Sequence, residues 1–537
     1  MATGTETDDS PVFGRVSRAR GVVFEYVTFV ASVFGIASLA VLLGYVVWDA
    51  FGLENAAPAW YGIFLLVVVG PVVGFLLYAR RDPLASEVAL EVTATALGGL
   101  LAGTALVIVL DIIAGPGVWF AYFLTVILPV AGLGLYARQS EAGWVGLAIL
   151  AALVVGPVVG TLALGPLSGL AFMLGPPGVY FLSLVVPGAL AVRYVVDEWF
   201  TVGNGTYAAG AMLVVAVAAV PAVDTVAAVS RSVWLILLTT LVAPLTAVVG
   251  RNAALPERRA GLAGPLAFVV GVGLLAIVPD LLGIAGPTPW FDYQYVTSAP
   301  SQTAEQAGLY PAIVGSVFII VLVALLTLLL GVGAALYLEE YAPSGGRLGT
   351  VTRLIRINIS NLAGVPSVVY GLLGLAVFAN TLQFGFGTVV TAAFTLSLLI
   401  LPIVIISARE AIRSVPDSLR DASYGMGATR WQTVKKVILP RAVPGILTGT
   451  ILALGRAIGE TAPLIMIGVA TTKFTPPSGP FDSTTAMPMQ VFVWSSYPGE
   501  AFQHGVVAAG VVTLLIVLLS MNSIAILLRN KFERGDI

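Results

Sequence analysis

Apolar runs of about twenty residues, each closed by a short polar or basic stretch, recur along most of the chain. A helix needs about 20 mostly apolar residues to cross a hydrocarbon core about 30 Å thick. The runs are continuous rather than alternating, so they predict helices and not the strands of a barrel. Fourteen spans follow: 22–48, 58–78, 90–112, 117–136, 142–164, 170–192, 207–228, 232–250, 263–284, 309–337, 361–380, 386–408, 443–469 and 505–528. Two of them, 170–192 and 361–380, are short and interrupted by Gly and Pro. The polar stretch from Met1 to Arg20 is not a cleavable signal, because the apolar run behind it is too long and no small-residue cleavage site follows.

Basic residues give the fourteen spans a direction. Arg15, Arg18 and Arg20 hold the first end in the cytoplasm. Alternation then puts Arg80 and Arg81, Arg138, Arg193, Arg251, Arg258 and Arg259 on the same side, followed by Arg347, Arg353, Arg356, the loop around 409–441, and Arg529, Lys531 and Arg534. The opposite loops carry Asp49, Glu54, Asp111 and the polar stretches 285–308 and 470–504, with only Arg231 and Lys473 against the bias. The reading is therefore a multi-pass plasma-membrane protein with both termini cytoplasmic.

A period runs through residues 55–287. Pro71, Pro129, Pro187 and Pro244 stand 58, 58 and 57 residues apart, each in a span that ends near an arginine (LLYARR, LYARQ, VRYV, VGRN). Each unit is one helical hairpin, so the block reads as four tandem hairpins, about eight spans. Its carboxylates, such as Glu87 and Glu91, fall near span ends, where interfacial solvation is the plain expectation.

Composition narrows the chemistry. The chain is 58% hydrophobic and 10% charged, against about 25% charged in soluble domains. It has no Cys and a single His, His504, which removes disulfides, thiolate metal sites and cysteine catalysis and leaves little for a multi-histidine metal site or a Ser-His-Asp triad. No metal ligands and no catalytic residues are assigned. A net charge of −2 gives no reason to expect nucleic acid.

The loop 407–441 gathers most of the chemistry. It reads SAREAIRSVPDSLRDASYGMGATRWQTVKKVILPR. Asp421 to Gly427 predicts a short helical run, Gly427 and Ala428 a sharp turn, and Ala428 to Val437 a second, amphipathic helix that Leu439-Pro440 stops before the next span. The result is a helix–turn–helix along the membrane surface.

This pattern resembles the coupling loop of ABC importer permeases: EAA, three residues, Gly, nine residues, Ile, one residue, Leu-Pro. Asp421, Ala422 and Ser423 take the EAA place, Gly427 the glycine, Val437 the isoleucine, and Leu439 and Pro440 close it. The spacing matches at every step. More narrowly, residues 308–320, 337–343, 361–378 and 445–468 look like the phosphate-uptake permease of the PstA type. The resemblance covers about 250 residues, and the first span with RVSRAR (15–20) before it is similar to the family's first helix. It implies an all-α polytopic protein with a type I ABC importer permease core, opened after its first helix. The domains are then 1–54, the inserted hairpins 55–287, and the core 288–537 with its coupling loop 407–441. An even number of inserted spans keeps that loop inside.

Inside the span 443–469 stand Arg456 and Glu460, four residues apart and able to touch on one helix face. A charge at mid-bilayer costs ~2.5–3.5 kcal/mol on insertion scales, so such residues pair or line a polar path. A self-neutralising ion pair is the plainer alternative, while arginine's planar donors suit a phosphate oxyanion. The stretch RAIGETAPL (456–464) is similar to the motif whose Arg and Glu the phosphate permeases need, which makes Arg456 and Glu460 the expected substrate-pathway residues. Pro366 and Gly371 are gating candidates, since Pro removes a helical hydrogen bond and Gly lowers rigidity. Glu339 and Glu340 suit ATPase contact or ordinary interfacial solvation, and His504 receives no role.

The resemblance further implies that ATP and Mg belong to a separate ATPase dimer, because no lysine of this chain sits in a P-loop and the chain holds no cofactor. The other expected partners are a second, homologous permease subunit, an extracytoplasmic phosphate-binding protein and membrane lipid. Alternatives are a permease for sulfate, molybdate or tungstate, or an ion-coupled secondary transporter or membrane scaffold.

Overall fold

Where apolar residues run on without a break, the backbone bonds itself into helix, as a lipid environment requires. The computed structural model describes residues 18–139, 144–199, 204–224, 229–343 and 345–533. Arg15 and Arg534, on which the inside placement of the two ends leans, lie outside them, as do 225–228 at the end of the expected span 207–228. The helices of the first half are α1 (Gly21–Ala50), α2 (Pro58–Ala79), α3 (Pro83–Asp111), α4 (Gly115–Ala137), α5 (Val145–Leu162), α6 (Leu164–Trp199, which is kinked at Gly175, where φ is +67°), α7 (Asn204–Ala218), α8 (Arg231–Ala254) and α9 (Pro256–Leu281). Those of the second half are α10 (Tyr310–Tyr341), α11 (Gly346–Leu362), α12 (Ser367–Thr381), α13 (Val389–Arg413), α14 (Asp417–Gly425), α15 (Arg430–Ile458), α16 (Ala462–Met466), α17 (Met487–Trp494) and α18 (Ala501–Ser523).

Among the described residues twelve helices are long and apolar enough to cross a membrane, or thirteen if the bent pair α11 and α12 counts as one. The fourteen expected spans therefore need correction at three places. α7 has only 15 residues, about 22 Å at 1.5 Å per residue, and it ends before the turn that leads to Val220-Pro221. The span 361–380 is broken: α11 and α12 meet at 108°, because Pro366 has no N–H to continue the ladder and instead begins α12 in extended geometry. The span 443–469 is not one helix either, since α15 stops at Ile458.

The prolines of the 55–287 period share one local device. Pro71, Pro129, Pro187 and Pro244 each stand two residues after a five-residue π turn: Leu65–Val69, Phe123–Ile127, Phe181–Val185 and Leu238–Val242. In each turn the following N–H reaches back five residues, as Gly70 does to the Leu65 carbonyl. A proline ring strikes the carbonyl four residues earlier, and a widened turn moves that carbonyl aside. The helix then runs through the proline instead of breaking.

In lipid, helices associate by close packing and hydrogen bonds rather than by hydrophobic expulsion. The apolar stretch of α13 is 72% buried, against 0% for that of α1, which marks α13 as the centre of the second-half bundle. α10 and α15 flank α13, and α18 packs on α15. Their shared core includes Ile319, Leu396, Ile400, Ala457, Ile458 and Trp494. The first half meets this bundle through α3 and α1, which both lie against α18. Within the first half, Glu91 pairs with Arg251 at 3.6 Å and Glu87 with Arg258 at 3.0 Å, so these carboxylates tie α3 to α8 and α9 rather than merely facing solvent. The two ends of the 55–287 segment lie side by side. The Ala57 N–H donates to the Ala285 carbonyl at 3.0 Å, and the Asn55 amide to the Thr288 hydroxyl at 2.8 Å.

Candidate functional site

α15 begins at the loop end of the bundle and carries both halves of the expected chemistry. Thr429 caps its start: the hydroxyl accepts from the Gln432 N–H at 3.3 Å, and the Gln432 side chain accepts from the Thr429 N–H at 2.8 Å. This reciprocal box satisfies two orphan donors and fixes where the helix begins. Leu439-Pro440 does not stop it. A π turn, Val434–Ile438, precedes Pro440, and the helix continues to Ile458. The expected second surface helix is thus the first two turns of α15, physically continuous with the membrane-spanning part.

Before it, α14 spans Asp417–Gly425 and holds Asp421 and Ala422. Gly427 sits at φ +82°, a left-handed turn with open space where a Cβ would be, so the glycine is required by backbone geometry and not by crowding. The Ser423 and Thr433 hydroxyls meet at 2.8 Å and close α14 onto α15. Beneath the turn, Val415, Val434, Ile438 and Ala442 form a buried apolar plug with Ala408 and Ile412 of α13. Val437 and Leu439 lie on the same continuous helix, both half-buried, with Lys435 and Lys436 exposed beside them.

At the other end of α15, Arg456 lies in the last turn and Glu460 just beyond the Gly459 cap. The pair forms, with Arg456 Nε donating to Glu460 Oε1 at 3.1 Å, but across a helix terminus rather than along a mid-span face. The C-terminal end of a helix carries partial negative charge, which favours a cation there. The Arg456 side chain is 50% exposed and that of Glu460 18%. Neither Nη group of Arg456 has a protein partner among the described residues, so both of these NH2 groups remain free to donate. Arg441, Gly445, Leu452 and Arg456 are the exposed positions of α15 from residue 441 on; Arg441, Leu452 and Arg456 share one open helix face, while a Cβ at Gly445 would meet Ala411 of α13 at 2.9 Å.

After the break, α16 turns against α12. Gly371 meets Pro463 Cα and Met466 Cβ there, and a Cβ at Gly371 would stand 2.8 Å from both. Gly371 is therefore a close-packing position beside the Arg456–Glu460 corner, and Pro366 marks the 108° bend below it. Glu339 and Glu340, by contrast, face neither solvent nor an open surface: they are 12% and 10% exposed and bonded to arginines of α13 and α14. His504, left without a role by the sequence, lies 3.3 Å from the buried Asp49 carboxylate and 3.0 Å from the Tyr45 hydroxyl, joining α18 to α1. Both contacts join residues more than 450 positions apart, and nothing local in the sequence signals them. No group of three or more metal-ligating side chains occurs among the described residues.

Comparison with known proteins fits this geometry. Residues 343–534 match the family described as binding-protein-dependent transport system inner membrane component. A probable ABC transporter permease protein YqgI of Bacillus subtilis is 35% identical over 43% of this chain and 76% of its own length. The phosphate transport system permease protein PstA 1 of Mycobacterium tuberculosis is 32% identical over 45% of this chain and 76% of its own. The phosphate transport system permease protein PstC of Mesorhizobium japonicum is 29% identical over 43% and 76%.

Proposed function

The chain belongs to the binding-protein-dependent transport system inner-membrane components, as an ABC-type permease of the PstA type, and from that premise we propose that it forms half of the membrane pathway of an ATP-driven phosphate importer. It is a transporter subunit of a family that works with an ATPase and a substrate-binding protein. The observation that carries the phosphate reading is the Arg456–Glu460 corner: a half-exposed guanidinium on the open face of α15, held by Glu460 through Nε alone. A planar pair of free N–H donors suits a tetrahedral oxyanion. Glutamate alone would repel the anion, so Glu460 positions Arg456 or yields it to the substrate.

The open face of α15 is where a second permease subunit would close the pathway, leaving Arg456 between the two chains. The loop 407–441 would sit in the cytoplasm and dock on an ATPase dimer through α14 and the first turns of α15, with Asp421, Ala422, Gly427, Val437, Leu439 and Pro440 at the contact. An extracytoplasmic binding protein would deliver phosphate at the opposite end. Because α15 runs unbroken from the loop to Arg456, displacement of the loop reaches the oxyanion site through one helix. ATP binding and hydrolysis then alternate the access of that site; no bond to the solute forms. Residues 55–287 stand on the α18 flank, away from the open face of α15, and we read them as an inserted block outside the pathway.

Arg456→Gln is expected to abolish phosphate uptake in cells or vesicles while the complex still assembles. Normal uptake by that variant sinks the assignment. An importer for another oxyanion shares the same donors; competition of labelled phosphate uptake by sulfate, molybdate and tungstate separates the two, and phosphate should be displaced only by itself and close phosphate analogues.

A further inference from the structure

The tail of α10 is a π turn, Tyr337–Tyr341, and three other elements hold it with arginines. Such a turn loosens the regular ladder and frees carbonyls. The Leu338 carbonyl is taken by Arg356 of α11. Glu339 accepts from Arg409 Nε at 2.6 Å and from Arg413 Nη2 at 3.2 Å, both on α13. Glu340 accepts from Arg420 Nη2 at 3.2 Å, and Arg420 belongs to α14. The same guanidinium donates to the Ile412 carbonyl at 2.8 Å and the Val415 carbonyl at 3.1 Å, at the end of α13, and to Asp417 at 2.7 Å. Arg409 and Arg420 are only 10% and 16% exposed. One turn of α10 is thus clasped by α11, α13 and α14 together.

A surface loop tied only by its chain ends absorbs a push by bending. Buried, charge-assisted hydrogen bonds have fixed geometry and a high cost of breaking, since an unpaired buried charge is left behind. We propose that Glu339 and Glu340, through Arg409 and Arg420, are positioning residues that lock α14 to α10 and α13, so that displacement of the loop moves those helices as one body. α15 carries the same displacement to the Arg456 corner by chain continuity; the clasp carries it to the rest of the bundle. Neither glutamate faces the outer surface of α14, so their part is transmission and not contact with the ATPase. The proposal rests on the reading of 407–441 as the coupling loop.

The chain has no cysteine, so a single Leu452→Cys on the open face of α15 gives it one thiol, whose labelling is read on this chain after the complex is separated. The assembled complex with its co-expressed ATPase is treated with a membrane-impermeant maleimide, with and without Mg-ATP under trapping conditions. With both glutamates present, nucleotide is expected to change the labelling rate severalfold. Adding Glu340→Gln or Glu339→Gln, each of which keeps side-chain shape and loses the charge, is expected to shrink that change at least 5-fold while the ATPase still copurifies and hydrolyses ATP. An unchanged nucleotide response in both variants overturns the clasp. Loss of the ATPase from both variants also overturns it, because the glutamates would then build the docking surface. A chain with both glutamates intact that fails to bind the ATPase sinks the coupling reading itself, and the labelling requires no phosphate, so the substrate assignment is judged separately.

Discussion

Gly427 holds a backbone angle of φ +82°, where an L side chain is strained by about 1–2 kcal/mol. No atom lies within 4 Å of the place its Cβ would take, so the strain is conformational alone. Gly427→Val is expected to weaken copurification of the ATPase by about 5- to 30-fold, the binding equivalent of that strain. Gly427→Asn should lose less, because Asn tolerates the left-handed region. Binding of both variants at wild-type strength would show that the turn plays no part in docking. Gly371 fails differently: its Cβ position lies 2.8 Å from Pro463 and Met466. Gly371→Val must push α16 off α12, with an overpacking cost of about 1–3 kcal/mol, read as a lowered melting temperature of the purified complex. The sequence made both glycines visible, the first through motif spacing. It did not show the packing of the second, because a close approach between α12 and α16 depends on a chain break at Ile458 that hydropathy does not register. Glu339 and Arg409, 70 residues apart, were illegible as a pair for the same reason: their contact is set by helix packing, not by local pattern.

At the scale of elements, apolar runs announced the helices but not how prolines would be treated. Pro440 reads as a stop, yet a π turn before it lets α15 continue, and the same device precedes Pro71, Pro129, Pro187 and Pro244. Pro366 breaks its span because the chain before it ends in a tight turn at Ala363-Gly364, where no widened helical turn can take up the ring. The segment between α16 and α17 is governed by a carboxylate. Asp482 accepts from the Ser478 hydroxyl at 2.5 Å and the Ser478 N–H at 2.9 Å, and these bonds hold its carboxyl below the ordinary range, helped by the Gly479 N–H and Lys473. Its carbonyl accepts from Val389, fastening the segment to the start of α13. A carboxylate with a depressed folded pKa adds stability above its unfolded value, about 3.9, and loses it as pH falls through the folded value. Hydrogen exchange of 478–484, corrected for intrinsic rates, should therefore stay flat from pH 7 to pH 5 and lose protection only below about pH 4. Asp482→Asn should remove that step; a step that persists in the variant assigns it to another group.

For the whole molecule, the decisive contacts are those between 55–287 and the remainder. An inserted unit can be removed when its two ends lie together and its contacts with the host are peripheral. The ends do lie together: Ala57 bonds Ala285, Asn55 bonds Thr288, and Gly52, at φ +57°, lets the Thr288 carbonyl approach to 2.0 Å from where a Cβ would stand. Trp290 and Phe291 donate to the Ala50 carbonyl at 2.9 and 3.1 Å, so α1 reaches the second-half bundle without passing through the block. The block rests on α18 through α3, and the tail of α3 touches α10; among the described residues it makes no extensive contact with α14 or α15. A chain in which Glu54 is joined to Thr288 through a short Gly-Ser linker, replacing 55–287, is expected to insert, to copurify with the ATPase, and to transport phosphate within about 3-fold of the full chain. α3 would leave a bare strip on α18 that lipid can cover, so the melting temperature should fall even where transport survives. Assembly with ATP hydrolysis but no uptake would instead place part of the pathway inside 55–287 and refute the reading of that block as an accessory.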